Sequence, residues 1–114
     1  MKEVDLLTSV IDLAHVYHWR VAHFRPAKTD KGWRTAVQGD GKGFPDLVLV
    51  RPPRVVVMEL KGRKAVVRNE QLIWLKEFAQ CNVEAFVFSS DDWDEIIGVL
   101  KEDAVDSNLV LFNK

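Results

Sequence analysis

The stretch from Gly43 to Lys61 sets two apolar, β-branched segments on either side of Pro52-Pro53. Such a pattern reads as a hairpin of buried strands. Adjacent prolines cannot both take the positive φ of a tight two-residue turn, so a four-residue loop, Arg51 to Arg54, is expected. Either loop length gives one register, because each centres between Pro52 and Pro53. That register sets Arg51 opposite Arg54, Val50 opposite Val55 and finally Asp46 opposite Glu59. Directly opposed residues share a face, with Cβ atoms roughly 4.5–5.5 Å apart. Alternation then puts Val55, Val57, Glu59 and Lys61 on one face and Val56, Met58 and Leu60 on the other. Two carboxylates facing each other in so apolar a hairpin repel, and unpaired buried charge is costly. Something positive belongs between them: Lys61, or a hard divalent cation bound through carboxylate oxygens. The plainer reading is an Asp at a strand start and a Glu–Lys pair at a strand end.

Composition frames this site. With 114 residues, 47% of them hydrophobic, the chain has apolar side chains enough for one core, and a single domain, 1–114, is expected. No apolar run approaches the ~20 residues of a membrane span, and Met-Lys-Glu-Val-Asp lacks a signal-peptide layout. One cysteine, Cys81, leaves no intrachain disulfide and fits a reducing compartment, so a cytoplasmic location is expected. The net charge of −1 conceals a split. Residues 1–80 carry 14 Lys/Arg against 9 Asp/Glu, and residues 81–114 carry 2 against 8. A basic body with an acidic end suits a protein that meets phosphates on one face, although such splits also occur without a nucleic-acid partner.

Along the chain, residues 3–18 read as a helix whose apolar face holds Val4, Leu6, Leu7, Val10, Ile11, Leu13, Ala14 and Tyr17. Glu3 projects near the centre of that arc, as an inward acid or as a complement to the helix N-terminal dipole. His15, His18 and His23 match no zinc spacing and read as surface or strand-edge residues. Residues 19–25 alternate as a first strand. Residues 26–45 form a long connection, with a short strand expected from Trp33 to Val37. It carries Lys28, Lys31, Arg34 and Lys42 beside Trp33, the mixture that backbone-tracking surfaces use, or else a solvated loop with one packed Trp. Past the hairpin, Arg63, Lys64 and Arg68 extend the positive charge. Asn69 is an expected N-cap for a helix over 70–80, whose apolar face (Leu72, Trp74, Leu75, Phe78, Ala79) includes Gln71. That amide either touches a water or phosphate at the site or ties helix to sheet as a buried hydrogen-bonder. Glu84–Phe88 is the next strand. Ser90 or Asp91 caps a last helix with Trp93, Ile96, Ile97 and Leu100 inward, and Leu109–Phe112 is a candidate edge strand.

Gly43-Phe44-Pro45-Asp46, then Glu59-Leu60-Lys61, then Gln71-Leu72-Ile73-Trp74-Leu75 resemble the VRR-NUC family of the PD-(D/E)XK nuclease superfamily. The resemblance implies a restriction-endonuclease-like α/β fold, with a mixed central sheet flanked by helices. It implies a Mg²⁺-dependent (or Mn²⁺-dependent) deoxyribonuclease. Asp46 and Glu59 would hold the ion, with the Leu60 carbonyl and Glu3 completing the shell. Lys61 would position the attacking water or stabilise the transition state, and Gln71 would assist from its helix. Lys28, Lys31, Lys42, Arg63, Lys64 and Arg68 are the candidate nucleic-acid contacts. Stand-alone domains of this family resemble Holliday junction resolvases, so branched DNA and a homodimer are the expected partners. A flap or end nuclease within a larger complex, or a silent nucleic-acid-binding module, are the alternatives.

Overall fold

The computed structural model describes residues 3–24, 27–29, 32–34 and 38–103, with side chains from Asp5 to Phe24 and from Gln38 to Asp103. Its elements are α1 (Glu3–Val16), β1 (Arg20–His23), β2 (Ala27–Thr29), β3 (Gly32–Arg34), β4 (Leu47–Arg51), β5 (Arg54–Leu60), α2 (Asn69–Ala79), β6 (Glu84–Phe88) and α3 (Trp93–Lys101). The main sheet has the order β1-β4-β5-β6. β4 pairs antiparallel with both β1 and β5, and β5 pairs with β6 in parallel after the crossover through α2.

The hairpin register is the expected one, running from Arg51↔Arg54 to Leu47↔Met58. The turn differs. Only Pro52 and Pro53 lie outside the strands, and the peptide between them is cis. A type VI turn of this kind closes two residues without positive φ.

Alternation then builds two cores. On one face Leu47, Leu49, Val56, Met58, Leu60, Phe86 and Phe88 meet α1 through Leu6, Val10 and Ala14, and α3 through Ile96 and Leu100. On the other, Val57, Ala85 and Val87 meet Leu75 of α2, with Val48 and Phe78 at the margin. Each fully buried Leu or Val stabilises by roughly 1.5–3 kcal/mol. Lying between the two layers, β5 is buried at every residue from Val56 to Leu60.

Local signals set the element ends. α1 stops where His18 takes φ 70°, with Trp19 N–H donating to Ala14 and His18 N–H to His15, a Schellman arrangement. The N-cap of α2 is Arg68, one residue before the expected Asn69, and the Gln71 side chain accepts its backbone N–H. The last helix is entered through a 3-10 turn, Ser90–Asp92, capped by Ser89 in place of Ser90 or Asp91. Ser89 N–H donates back to the Asp92 carboxylate at 2.8 Å. Within the long connection β2 and β3 pair as a separate small sheet. β2 was not expected, and β3 begins one residue earlier than foreseen. Residues 35–37, like Leu109–Phe112, lie outside the described residues.

The turn end of the hairpin is held by charge. Arg54, 4% exposed, makes a two-pronged ion pair with buried Glu84 at 2.7 and 2.5 Å. Arg51 donates to the carbonyls of Tyr17, Leu100 and Glu102, and Arg54 also reaches Glu102. Their guanidinium carbons lie 4.6 and 4.9 Å from the Trp19 ring centroid, and the Trp19 indole donates to Leu100. Two arginines thereby satisfy the C-terminal carbonyls of α3, which a helix leaves without internal partners.

Candidate active site

At the opposite end of the hairpin the ladder stops at Leu47↔Met58, and the next residues out are Asp46 and Glu59. Asp46 is pinned from both sides. Its carbonyl accepts from Phe24 N–H at 3.1 Å, just past β1, and its Oδ2 accepts from Leu60 N–H at 2.8 Å. Glu59 lies in β5 on the α2 face, only 3% exposed. The Lys61 backbone N–H is held by the Phe88 carbonyl at 2.9 Å, and its ammonium stands 3.4 Å from Glu59 Oε2. Gln71, in the first turn of α2, donates from Nε2 to the same Oε2 at 2.6 Å. Because its Oε1 accepts from Arg68 N–H, the amide is fixed at both ends. Gln71 thus makes the second of its two expected contacts, tying helix to sheet through Glu59.

The other oxygen, Glu59 Oε1, is buried and has no hydrogen-bond partner among the described residues. Burial, and then the negative charge of Asp46, push the Glu59 carboxyl up to about 7; the Lys61 ammonium and the Asp46 backbone amide only partly offset this. Lys61 therefore answers part of the repulsion foreseen between the carboxylates and leaves part of it standing. A buried carboxylate oxygen with an open lone pair beside a second carboxylate suits a hard cation. Among the described residues no group of three or more His, Cys, Asp or Glu is placed to hold a metal. Two carboxylates match the habit of Mg²⁺, which keeps several waters and takes few protein ligands. Glu3 opens α1, and its side chain lies outside the described residues.

The candidate phosphate contacts divide. Lys64 and Arg68 are exposed, Lys64 at φ 67° in the turn that follows Lys61. Lys42 pairs with Glu70 at 3.2 Å and Arg63 with Asp91 at 3.1 Å, both near the surface and therefore weak. Lys28 faces Trp33 in the backbone register of β2 and β3, while its side chain and the whole of Lys31 are outside the described residues. His15 and His18 are exposed near the Pro52 turn, at the far end of the hairpin from the carboxylates.

One element of the site was not read from the sequence. Residues 40–46 dock onto α2: the Trp74 indole donates to the Asp40 carbonyl, and Phe44 meets Phe24, Trp74 and Phe78 edge to face. The available signal was Gly43 itself, whose φ is +85°. Among the described residues no helix is long and apolar enough to cross a membrane.

No curated protein and no solved structure matches the chain. The profile of the VRR-NUC domain, a PD-(D/E)XK-type nuclease family, matches residues 13–92. That span runs from the second half of α1 to the start of α3 and includes Asp46, Glu59, Lys61 and Gln71. The four-stranded mixed sheet between helices is compatible with a restriction-endonuclease-like fold. The chain belongs to the VRR-NUC family.

Proposed function

We propose that the protein is a divalent-metal-dependent endonuclease that hydrolyses DNA phosphodiesters and selects branched or otherwise structured DNA. The observation that carries this reading is the buried Oε1 of Glu59 beside Asp46, without a hydrogen-bond partner among the described residues. Asp46 and Glu59 would hold the Mg²⁺ or Mn²⁺, with the Leu60 carbonyl and Glu3 as further ligands. When bound, the ion acidifies a water and neutralises charge developing on the scissile phosphate. Lys61, whose ammonium lies 3.4 Å from Glu59 Oε2, would position the attacking water or turn its charge toward the phosphate oxygens as they gain charge. Gln71 holds Glu59 Oε2, which fixes the carboxylate's rotamer and leaves the buried Oε1 without a hydrogen-bond partner among the described residues.

Glu59→Gln tests the assignment. The substitution keeps shape and volume and removes the ligand charge, so the fold persists while cleavage of four-way or flapped DNA falls at least a hundredfold. Near-normal turnover at saturating Mg²⁺ would overturn it.

The small size of the domain favours backbone and shape contacts over base reading. Two matched incisions across a four-way junction need two sites, and a two-fold protein fits a two-fold substrate. The protein is therefore expected to act as a homodimer with its basic loop, Arg63 to Arg68, left open. Light scattering at micromolar concentration, with and without junction DNA, checks this; a monomer in both that still makes paired cuts would refute it.

A further inference from the structure

We propose that Gly43 is a positioning residue for this site, setting the loop that carries Asp46 against the helix that carries Gln71. The inference rests on the nuclease reading for its chemistry and on packing for its geometry. A Cβ on Gly43 would stand 2.6 Å from the backbone carbon of Glu70, 2.7 Å from its Cβ and 2.8 Å from the Gln71 backbone nitrogen. Two of these are main-chain atoms of the first turn of α2 and have no rotamer in which to retreat. The loop is fastened to the same helix on either side of that contact. Lys42 pairs with Glu70, Phe44 packs on Trp74 and Phe78, and the Trp74 indole holds Asp40. Three residues after Gly43 comes Asp46, and one residue after Glu70 comes Gln71, which grips Glu59. Any side chain at position 43 must part loop from helix, and so must move Asp46, Gln71 or both. Displacements of about 1 Å in such constellations cost on the order of a hundredfold in rate.

Gly39 supplies the control. Its φ of +70° is as unfavourable for a side chain as that of Gly43, yet among the described residues a Cβ there meets nothing within 4 Å. Gly43→Ala and Gly39→Ala therefore share the backbone penalty and differ in the clash. The first readout is the Gln71 side-chain amide in a ¹H–¹⁵N spectrum of metal-free protein. In Gly43→Ala that pair is expected to leave its wild-type position, Mn²⁺ to bind at least tenfold more weakly, and kcat to fall more than KM. In Gly39→Ala all three should stay as in wild type. A folded Gly43→Ala with the Gln71 amide and Mn²⁺ affinity unchanged overturns the proposal, as does a Gly39→Ala that reproduces the defect. If wild-type protein binds no Mn²⁺ the nuclease reading fails, and the amide signal still decides whether Gly43 positions Gln71. If Gly43→Ala does not fold, Trp74→Phe takes its place, keeping a ring on Phe44 while losing the bond to Asp40. A smaller shift of the same amide supports the proposal there, and an unmoved amide overturns it.

Discussion

Glu59 is a carboxylate held close to neutrality by its surroundings, and this makes its contribution to stability run opposite to the usual acidic residue. Its carboxyl rises from 4.5 to about 7 on folding, so the folded protein binds the proton more tightly than the unfolded chain does. The stabilisation is fully present below about pH 4.5 and is lost as pH climbs through about 7. A shift of this size corresponds to a few kcal/mol, on the order of 3. In EDTA, urea unfolding at pH 5 and pH 8 should therefore show a pH-dependent loss that Glu59→Gln largely removes. On the proposed reading divalent ions should reverse the trend, since they would bind the deprotonated carboxylate and only in the folded state. Thermal melts should rise more with Mn²⁺ at pH 8 than at pH 5.5, and not at all in Glu59→Gln. The opposition of Asp46 and Glu59 was legible in the sequence because strand periodicity alone fixes it. The orphaned oxygen was not legible, since it depends on how one amide, Gln71, divides its bonds between helix and sheet.

At the level of elements, the hairpin was readable and its fastenings were not. The register follows from a turn centred between Pro52 and Pro53, and the apolar run from Val55 to Met58 marks a strand buried on both faces. The two-residue turn escaped because it depends on the isomer of one peptide bond, which composition does not encode. β2 and the caps at Arg68 and Ser89 escaped because their signals span only three or four residues. Arg51 and Arg54 were read only as turn residues, since arginines are mostly exposed. They instead anchor α3, and Arg54→Met should destabilise the protein by about 3–5 kcal/mol by leaving Glu84 buried and unpaired. Chemical denaturation checks this, and Arg54→Met with Glu84→Leu should recover most of the loss, because an apolar pair needs no partner.

For the whole molecule, these ion pairs change how the basic half of the chain is to be weighed. Arg54 and much of Arg51 are spent inside the fold, while Lys42 and Arg63 already have acidic neighbours. Between β5 and α2, Lys64 and Arg68 are therefore the exposed cations outside a close ion pair among the described residues, with Lys61 held beside Glu59. DNA affinity should fall with salt, and neutralising Lys64 and Arg68 together should flatten the log–log slope by about 2. Neutralising Arg63 should flatten it less, because Asp91 competes for that guanidinium. Fluorescence anisotropy across a salt series measures both. An unaltered slope would move the phosphate track to the loop of Lys28, Lys31 and Lys42.

The hairpin also separates two kinds of vulnerability. Its β4 strand is five residues long, which at ~3.4 Å each puts roughly 17 Å between the arginine end and the carboxylate end. Perturbations that far apart, with no shared partner, combine without interaction energy. Stability can thus be raised or lowered at the Arg54–Glu84 pole, by selection or by design, while the chemistry at the Asp46–Glu59 pole drifts on its own schedule. A lineage built on this hairpin can change its substrate without first rebuilding its fold.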